Sequence, residues 1–196
     1  MNLDKSLKLA KKLLKFIKVI IVINFIVAIA IFFFSLDADF MDFASNATSV
    51  TLGVFKIYFR DSVPDTFINN NMLTFASVLV AVIIILWYLI ARQLEIIIDN
   101  ALDGHIFCQT STKSLNLIAL FVVIEGLINI ITGFIGNSTI YKHISSLNLF
   151  NSEIVESVTV NSKYDISFLA ISFVIFILAK VFAYGQQLQK LSDETL

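Results

Sequence analysis

The chain has 196 residues, 58% of them hydrophobic and only 15% charged, with a formal net charge of −1 at pH 7. Soluble domains are roughly 45–50% apolar and about 25% charged, and a chain this short keeps too much surface in water to hide such an excess in one core. That composition argues against an ordinary soluble fold and excludes disorder, while one Cys and two His leave no internal disulfide and no Cys/His zinc cluster.

The first segment, 1–18, reads as a basic amphipathic helix. It holds Lys5, Lys8, Lys11, Lys12, Lys15 and Lys18, six of the fourteen basic residues. At 100° per residue they share a sector of about 140°, with leucines opposite. Lys5, Lys8, Lys11, Lys12 and Lys15 are the expected contacts to anionic headgroups. The plainer alternative is a basic flank that orients the first span.

Four stretches reach the roughly 20 apolar residues that a membrane-crossing helix needs: about 19–36, 72–91, 115–136 and 166–184. The first exceeds the roughly 7–15 apolar residues of a signal peptide, so it reads as a retained span. The connecting pieces are an outer loop 37–71, an inner loop 92–114, a second outer loop 137–165 and a tail 185–196. Ten of the fourteen Lys and Arg flank one side, against four in the outer loops, which also hold eight acids. The positive-inside rule then puts both termini in the cytoplasm. The expectation is a single all-α domain, 1–196, crossing the cytoplasmic membrane four times.

Within the outer loops, Ser49 to Phe59 and Glu156 to Asn161 read as β-prone runs. Paired, they form a small extracytoplasmic sheet; the alternative is irregular structure with Phe40, Phe43, Phe67 and Tyr141 in the headgroups. The inner loop opens as an amphipathic continuation of the second span, with Leu94, Ile97, Ile98, Ala101 and Leu102 on one face and Arg92, Glu95, Asp99 and Asp103 on the other. Gly104 is the expected C′ stop, and Ser111 or Thr112 the expected cap of the next helix.

The polar residues at membrane depth mark the candidate site. Glu125 stands about 15 Å into the third span, where a charge costs at least about 2.5–3.5 kcal/mol. Asn129 follows one turn later, Asn24 lies in the first span, and Gly126 allows a neighbouring helix to approach. Lys180 either snorkels to the interface or pairs with Glu125. Glu125 is then a structural clamp or a proton site. No catalytic constellation, nucleotide motif or metal set is present, and no cofactor is expected. Beyond the N-terminal lysines there is no basic patch, so direct nucleic-acid binding is not expected.

Two segments carry a resemblance. One reads Ala101-Leu-Asp-Gly-His-Ile-Phe107; the other reads Val181-Phe-Ala-Tyr-Gly-Gln-Gln-Leu-Gln189 and continues Leu191-Ser-Asp-Glu-Thr-Leu196. They resemble the bacterial four-span membrane proteins catalogued as domain of unknown function 2975, with Gly104, Phe107, Phe182, Gly185, Leu188, Gln189, Asp193 and Thr195 matching. Leu191 and Glu194 depart from the family pattern. The resemblance implies genomic proximity to a small helix-turn-helix regulator, and it makes these residues candidate partner contacts. The leading expectation is a non-enzymatic regulatory membrane protein that contacts lipids and acts on a cytoplasmic transcription regulator. The alternatives are a small transporter or ion-coupled component built on Glu125, and an immunity or envelope-stress protein. Nothing in the sequence sets the oligomeric state.

Overall fold

The computed structural model describes residues 3–34, 49–52, 55–60, 70–147, 155–160 and 165–194. Four long helices dominate. Helix α1 (Leu3–Phe34) has no Gly or Pro to break it and runs 32 residues. At 1.5 Å per residue that is about 48 Å, well beyond the roughly 30 Å hydrocarbon core. The basic segment and the first span are therefore one continuous rod. Two short strands follow, β1 (Ser49–Leu52) and β2 (Phe55–Phe59). Then come α2 (Asn70–Leu102), α3 (Gln109–Leu147), strand β3 (Val155–Val160) and α4 (Ser167–Glu194). Four segments are long and apolar enough to cross a membrane: Asp4–Phe33, Ser77–Leu102, Gln109–Ile135 and Ser167–Ser192. This is the architecture of a multi-pass membrane protein.

The chain divides into two compact units. The first comprises Met1–Ile26, Val82–Gly126 and Ile166–Leu196. Its buried apolar positions include Leu86, Ile90, Leu115 and Ile118, together with the small residues Ala91, Ala119 and Ala179. Small side chains at helix contacts let backbones approach, which is how helices associate when lipid removes the hydrophobic drive. Larger residues lie outside: Phe16 is 64% exposed and Phe173 63% exposed. A soluble fold buries such side chains; their exposure fits helices long and apolar enough to cross a membrane.

The second unit comprises Val27–Ala81 and Leu127–Asp165. Its strands form one antiparallel sheet in the order β1-β2-β3. The register aligns Val50 with Ile57 and Ile57 with Val158, and two residues along it aligns Leu52, Phe55 and Val160. Positions two apart share a face of a strand, so these six positions fall on one face of the sheet. Ile57 at their centre is fully buried. A register shift between Tyr58 and Phe59 marks the far end of the β2–β3 pairing. Phe40, Phe43 and Phe67, expected in the headgroups, lie outside the described residues, as does the side chain of Tyr141.

The turn between α2 and α3 follows from Gly104. Its φ is +81°, a conformation that costs a residue with a Cβ but not Gly. The His105 N–H reaches the Asn100 carbonyl at 2.9 Å and the Gly104 N–H reaches that of Ala101 at 3.3 Å. This six-to-one and five-to-two pair is the Schellman closure of a helix C-terminus. The following helix starts earlier than a Ser111 or Thr112 cap requires. Cys108 stands at the N-cap: its carbonyl accepts from the Thr112 N–H at 3.1 Å, and its Sγ accepts from the Ser111 N–H at 3.4 Å. A thiol replaces the oxygen that preferred capping residues supply, and Ser111 is the third residue of the helix it was expected to cap.

Candidate functional site

Several of the residues singled out by their chemistry, Glu125 among them, lie in the first unit along the contacts between α2 and its neighbours. Three side-chain rungs join α2 to α3. Nearest the turn, Asn100 Nδ2 donates to Ser111 Oγ at 3.0 Å, and Ser111 is fully buried. Next, Ser114 Oγ donates to Gln93 Oε1 at 2.9 Å. Deepest, the Trp87 indole Nε1–H donates to Glu125 Oε1 at 3.2 Å. An indole N–H in an apolar setting needs an acceptor, and a carboxyl at membrane depth needs a donor. Each meets the other's requirement.

Glu125 is therefore bonded to Trp87, the only Trp of the chain. Lys180 does not serve it: among the described residues the ion pairs lie elsewhere, and Lys180 Nζ sits 5.0 Å from the centre of the Phe176 ring on its own helix. Beside Glu125, Gly126 is buried against the Phe168 ring of α4, in the space its missing Cβ would fill. The other polar span residues stand apart. Asn24 donates to the Ile20 carbonyl of its own helix at 2.9 Å. Asn129 is exposed and belongs to the second unit.

Helix α1 joins through charge. Lys11 Nζ lies 2.6 Å from Asp99 Oδ1, and Lys18 pairs with Glu95 while approaching the Tyr88 ring at 5.8 Å. Lysines seven apart and acids four apart each repeat on one helix face, so two whole turns of α1 meet one of α2. Lys11, expected at the lipid surface, has a protein partner here; Lys5, Lys8, Lys12 and Lys15 are exposed.

The elements that carry the family resemblance touch one another. The Phe107 ring meets Phe182 edge-on, with centroids 5.2 Å apart and planes at 64°. It also seats on Gly185, where a Cβ would come within 2.7 Å of Cδ1. With Gly104 shaping the turn, the loop presents Phe107 to α4, and α4 receives it at a position without a side chain. Leu188 and Gln189 lie further along α4, both exposed. Nothing is described of the Asp193 side chain, and Thr195 lies outside the described residues.

Cys108 is the one group in this turn with a shifted acidity. Burial pushes its thiol up. Hydrogen bonds from the Ser111 hydroxyl and N–H and from Thr110 stabilise the thiolate, and together they outweigh burial, so the net shift is downward. Sequence pattern pointed to Glu125, Gly104, Gly126 and Phe107, and missed Trp87, Gln93 and Ser114. One signal existed for Trp87. It stands 15 residues before the end of α2, and Glu125 stands 16 residues after the start of α3. In a helical hairpin that is nearly equal depth, about 22–24 Å. No protein-family model, curated protein or solved structure matches the chain.

Proposed function

We propose that this chain is a non-enzymatic regulatory component of a bacterial cytoplasmic membrane, with both termini inside, and that its loop–tail junction receives a soluble partner. The observation that carries this reading is the seat of Phe107 on Gly185 and Phe182. It couples the α2–α3 turn to a helix that runs on to Glu194. From the seat onward that helix exposes Tyr184 and Leu188 one turn apart, the spacing of an amphipathic helix for a partner groove. A signal that moves the spans against each other moves Phe107 with α3 and so changes how the tail is offered. The resemblance to the family of domain of unknown function 2975 supports a helix-turn-helix transcription regulator as that partner. The excess of basic residues beside the loop and termini supports the inward orientation. It leaves the small sheet on the outer side, placed to take an input.

Transport through Glu125 is the weaker reading, because its carboxyl has a fixed indole partner. Transporters built on intramembrane acids also break their helices with Gly or Pro, whereas α3 runs unbroken through Gly126 and the single Pro of this chain, Pro64, falls outside every span. The test is co-purification from native expression in mild detergent, with an N-terminal tag and a control truncated after residue 186. A soluble DNA-binding protein bound to the full chain and lost from the truncated one is the expected result. No bound protein in either sample refutes the partner reading.

A further inference from the structure

A groove runs between α3 and α4 on the outside of the first unit, with a volume of 530 Å3. That lies within the roughly 300–1,000 Å3 of sites that hold small molecules. Its walls are Ala119, Leu120 and Val123 on α3 and Leu169, Phe173 and Phe176 on α4. The hydroxyl of Ser172, which also lines it, is already satisfied by the Leu169 carbonyl of its own helix at 2.9 Å. The depth of the groove therefore asks for no polar partner and suits a hydrocarbon chain. From Asn116 to Val123 it extends about 10 Å along α3, two-thirds of the roughly 15 Å of one leaflet.

One end of this groove is different. Asn116 opens it with an exposed amide. Lys180 Nζ stands 5.0 Å from the ring of Phe176, the last groove residue on α4. At 100° per residue Lys180 falls within about 30° of the groove-facing line of α4, and Lys113, one turn before Asn116, lies about 60° round α3 from it. Both lysines are exposed. Among the described residues, the ion pairs involve neither lysine. Glu125 lies about 180° round α3 from Asn116 and is bonded to Trp87. The next acid along α4 from Lys180 is Asp193, about 20 Å away.

We infer that this groove is a binding site for an anionic phospholipid, with an acyl chain along Phe173 and Phe176 and the phosphate held by Lys113, Lys180 and the Asn116 amide. The site is separate from the N-terminal lysines and does not depend on the partner reading above; it requires only that α3 and α4 cross the bilayer. Charge complementarity selects the occupant: an apolar slot ending in two cations matches a lipid with net negative charge better than a zwitterionic one. Each basic residue near a lipid surface contributes about 1 kcal/mol, or about fivefold in affinity.

Native mass spectrometry of the full chain, released from detergent with phosphatidylglycerol or phosphatidylcholine, tests this. With two lysines, phosphatidylglycerol is expected to stay bound at about 25-fold lower concentration than phosphatidylcholine. The double variant Lys113→Gln/Lys180→Gln is expected to abolish that preference, and Ala119→Phe, which fills the slot, to remove lipid of either kind. A variant with Lys5, Lys8, Lys12 and Lys15 all changed to Gln is expected to keep the preference. Circular dichroism confirms the helix content of each variant before comparison. Three outcomes overturn the proposal: equal retention of the two lipids, a preference lost with the N-terminal lysines and kept without Lys113 and Lys180, or a lipid-free dimer that Ala119→Phe dissociates.

Discussion

The bond between Trp87 and Glu125 gives the carboxyl of the third span a partner on α2. Interhelical hydrogen bonds in membranes average about 0.6 kcal/mol and reach about 1.7, so a modest contribution to stability is expected from this rung. Trp87→Phe and Glu125→Ala are each expected to lower stability in detergent by about 0.5–1.5 kcal/mol. The double variant is expected to cost little more than either alone, because one bond is lost in all three. Glu125→Gln keeps an oxygen acceptor and is expected to remain near the parent in both stability and cellular activity. Thermal unfolding of the four proteins measures the first point. A stable Glu125→Gln protein without activity would assign the carboxyl a proton instead. Cys108 makes a second residue-scale case. Its acidity is shifted downward, so the thiolate is favoured in the folded chain, and the stabilisation it brings is present at high pH and fades as pH falls through the folded pKa. Iodoacetamide labelling followed by mass spectrometry should therefore rise with pH at a midpoint below the ordinary 9.0. In Ser111→Ala, which loses a hydrogen bond to the sulfur, the midpoint should move up. An unmoved midpoint removes Ser111 as the cause.

At the scale of elements, α1 shows how much was legible and where legibility stopped. Hydropathy marks its span and the lysine sector marks its polar face, because both are local properties of one helix. Which acids those lysines meet is a tertiary fact: Glu95 and Asp99 read locally as the solvated face of an amphipathic segment, and they are instead the face turned toward α1. The same limit hid Trp87, Gln93 and Ser114, each unexceptional until the hairpin between α2 and α3 brings its partner close. Gly104 was legible because a positive φ is a backbone requirement that only a few residues meet. The Cys108 cap was not, because thiols are rare in a position that oxygen side chains dominate. The pairing of α1 with α2 makes its own prediction. Lys18→Glu places two acids together and is expected to cost about 1–2 kcal/mol, more than the roughly 1 kcal/mol of an ordinary exposed pair because both side chains are largely covered. Exchanging the charges with Glu95→Lys in the same chain should recover most of the loss. If the exchanged pair is no more stable than Lys18→Glu alone, the contact does not hold α1.

Over the whole molecule, one arrangement of charge and one thiol make the orientation measurable. Lys5, Lys8, Lys12, Lys15, Arg92, Lys113 and Lys190 belong to the unit that also contains the α2–α3 turn. The sheet belongs to the other unit, and in the sequence Asp37, Asp39, Asp42, Asp61 and Asp65 fall between the first and second spans. An excess of Lys and Arg retains a loop in the cytoplasm, whereas acids have little influence. Where each of the four candidate spans crosses, the termini and the turn lie on the same side. Cys108, the only Cys, sits in that turn and needs no engineering to report it. In intact cells a membrane-permeant maleimide is expected to label it, while an impermeant one labels it only after lysis. The variant Cys108→Ser carrying Ser157→Cys, at an exposed position of β3, should show the reverse, with impermeant label taken up by intact cells. Labelling of Cys108 by the impermeant reagent in intact cells would invert the molecule. The loop–tail junction would then face outward, away from any cytoplasmic regulator, and the regulatory reading would fail with the orientation on which it stands.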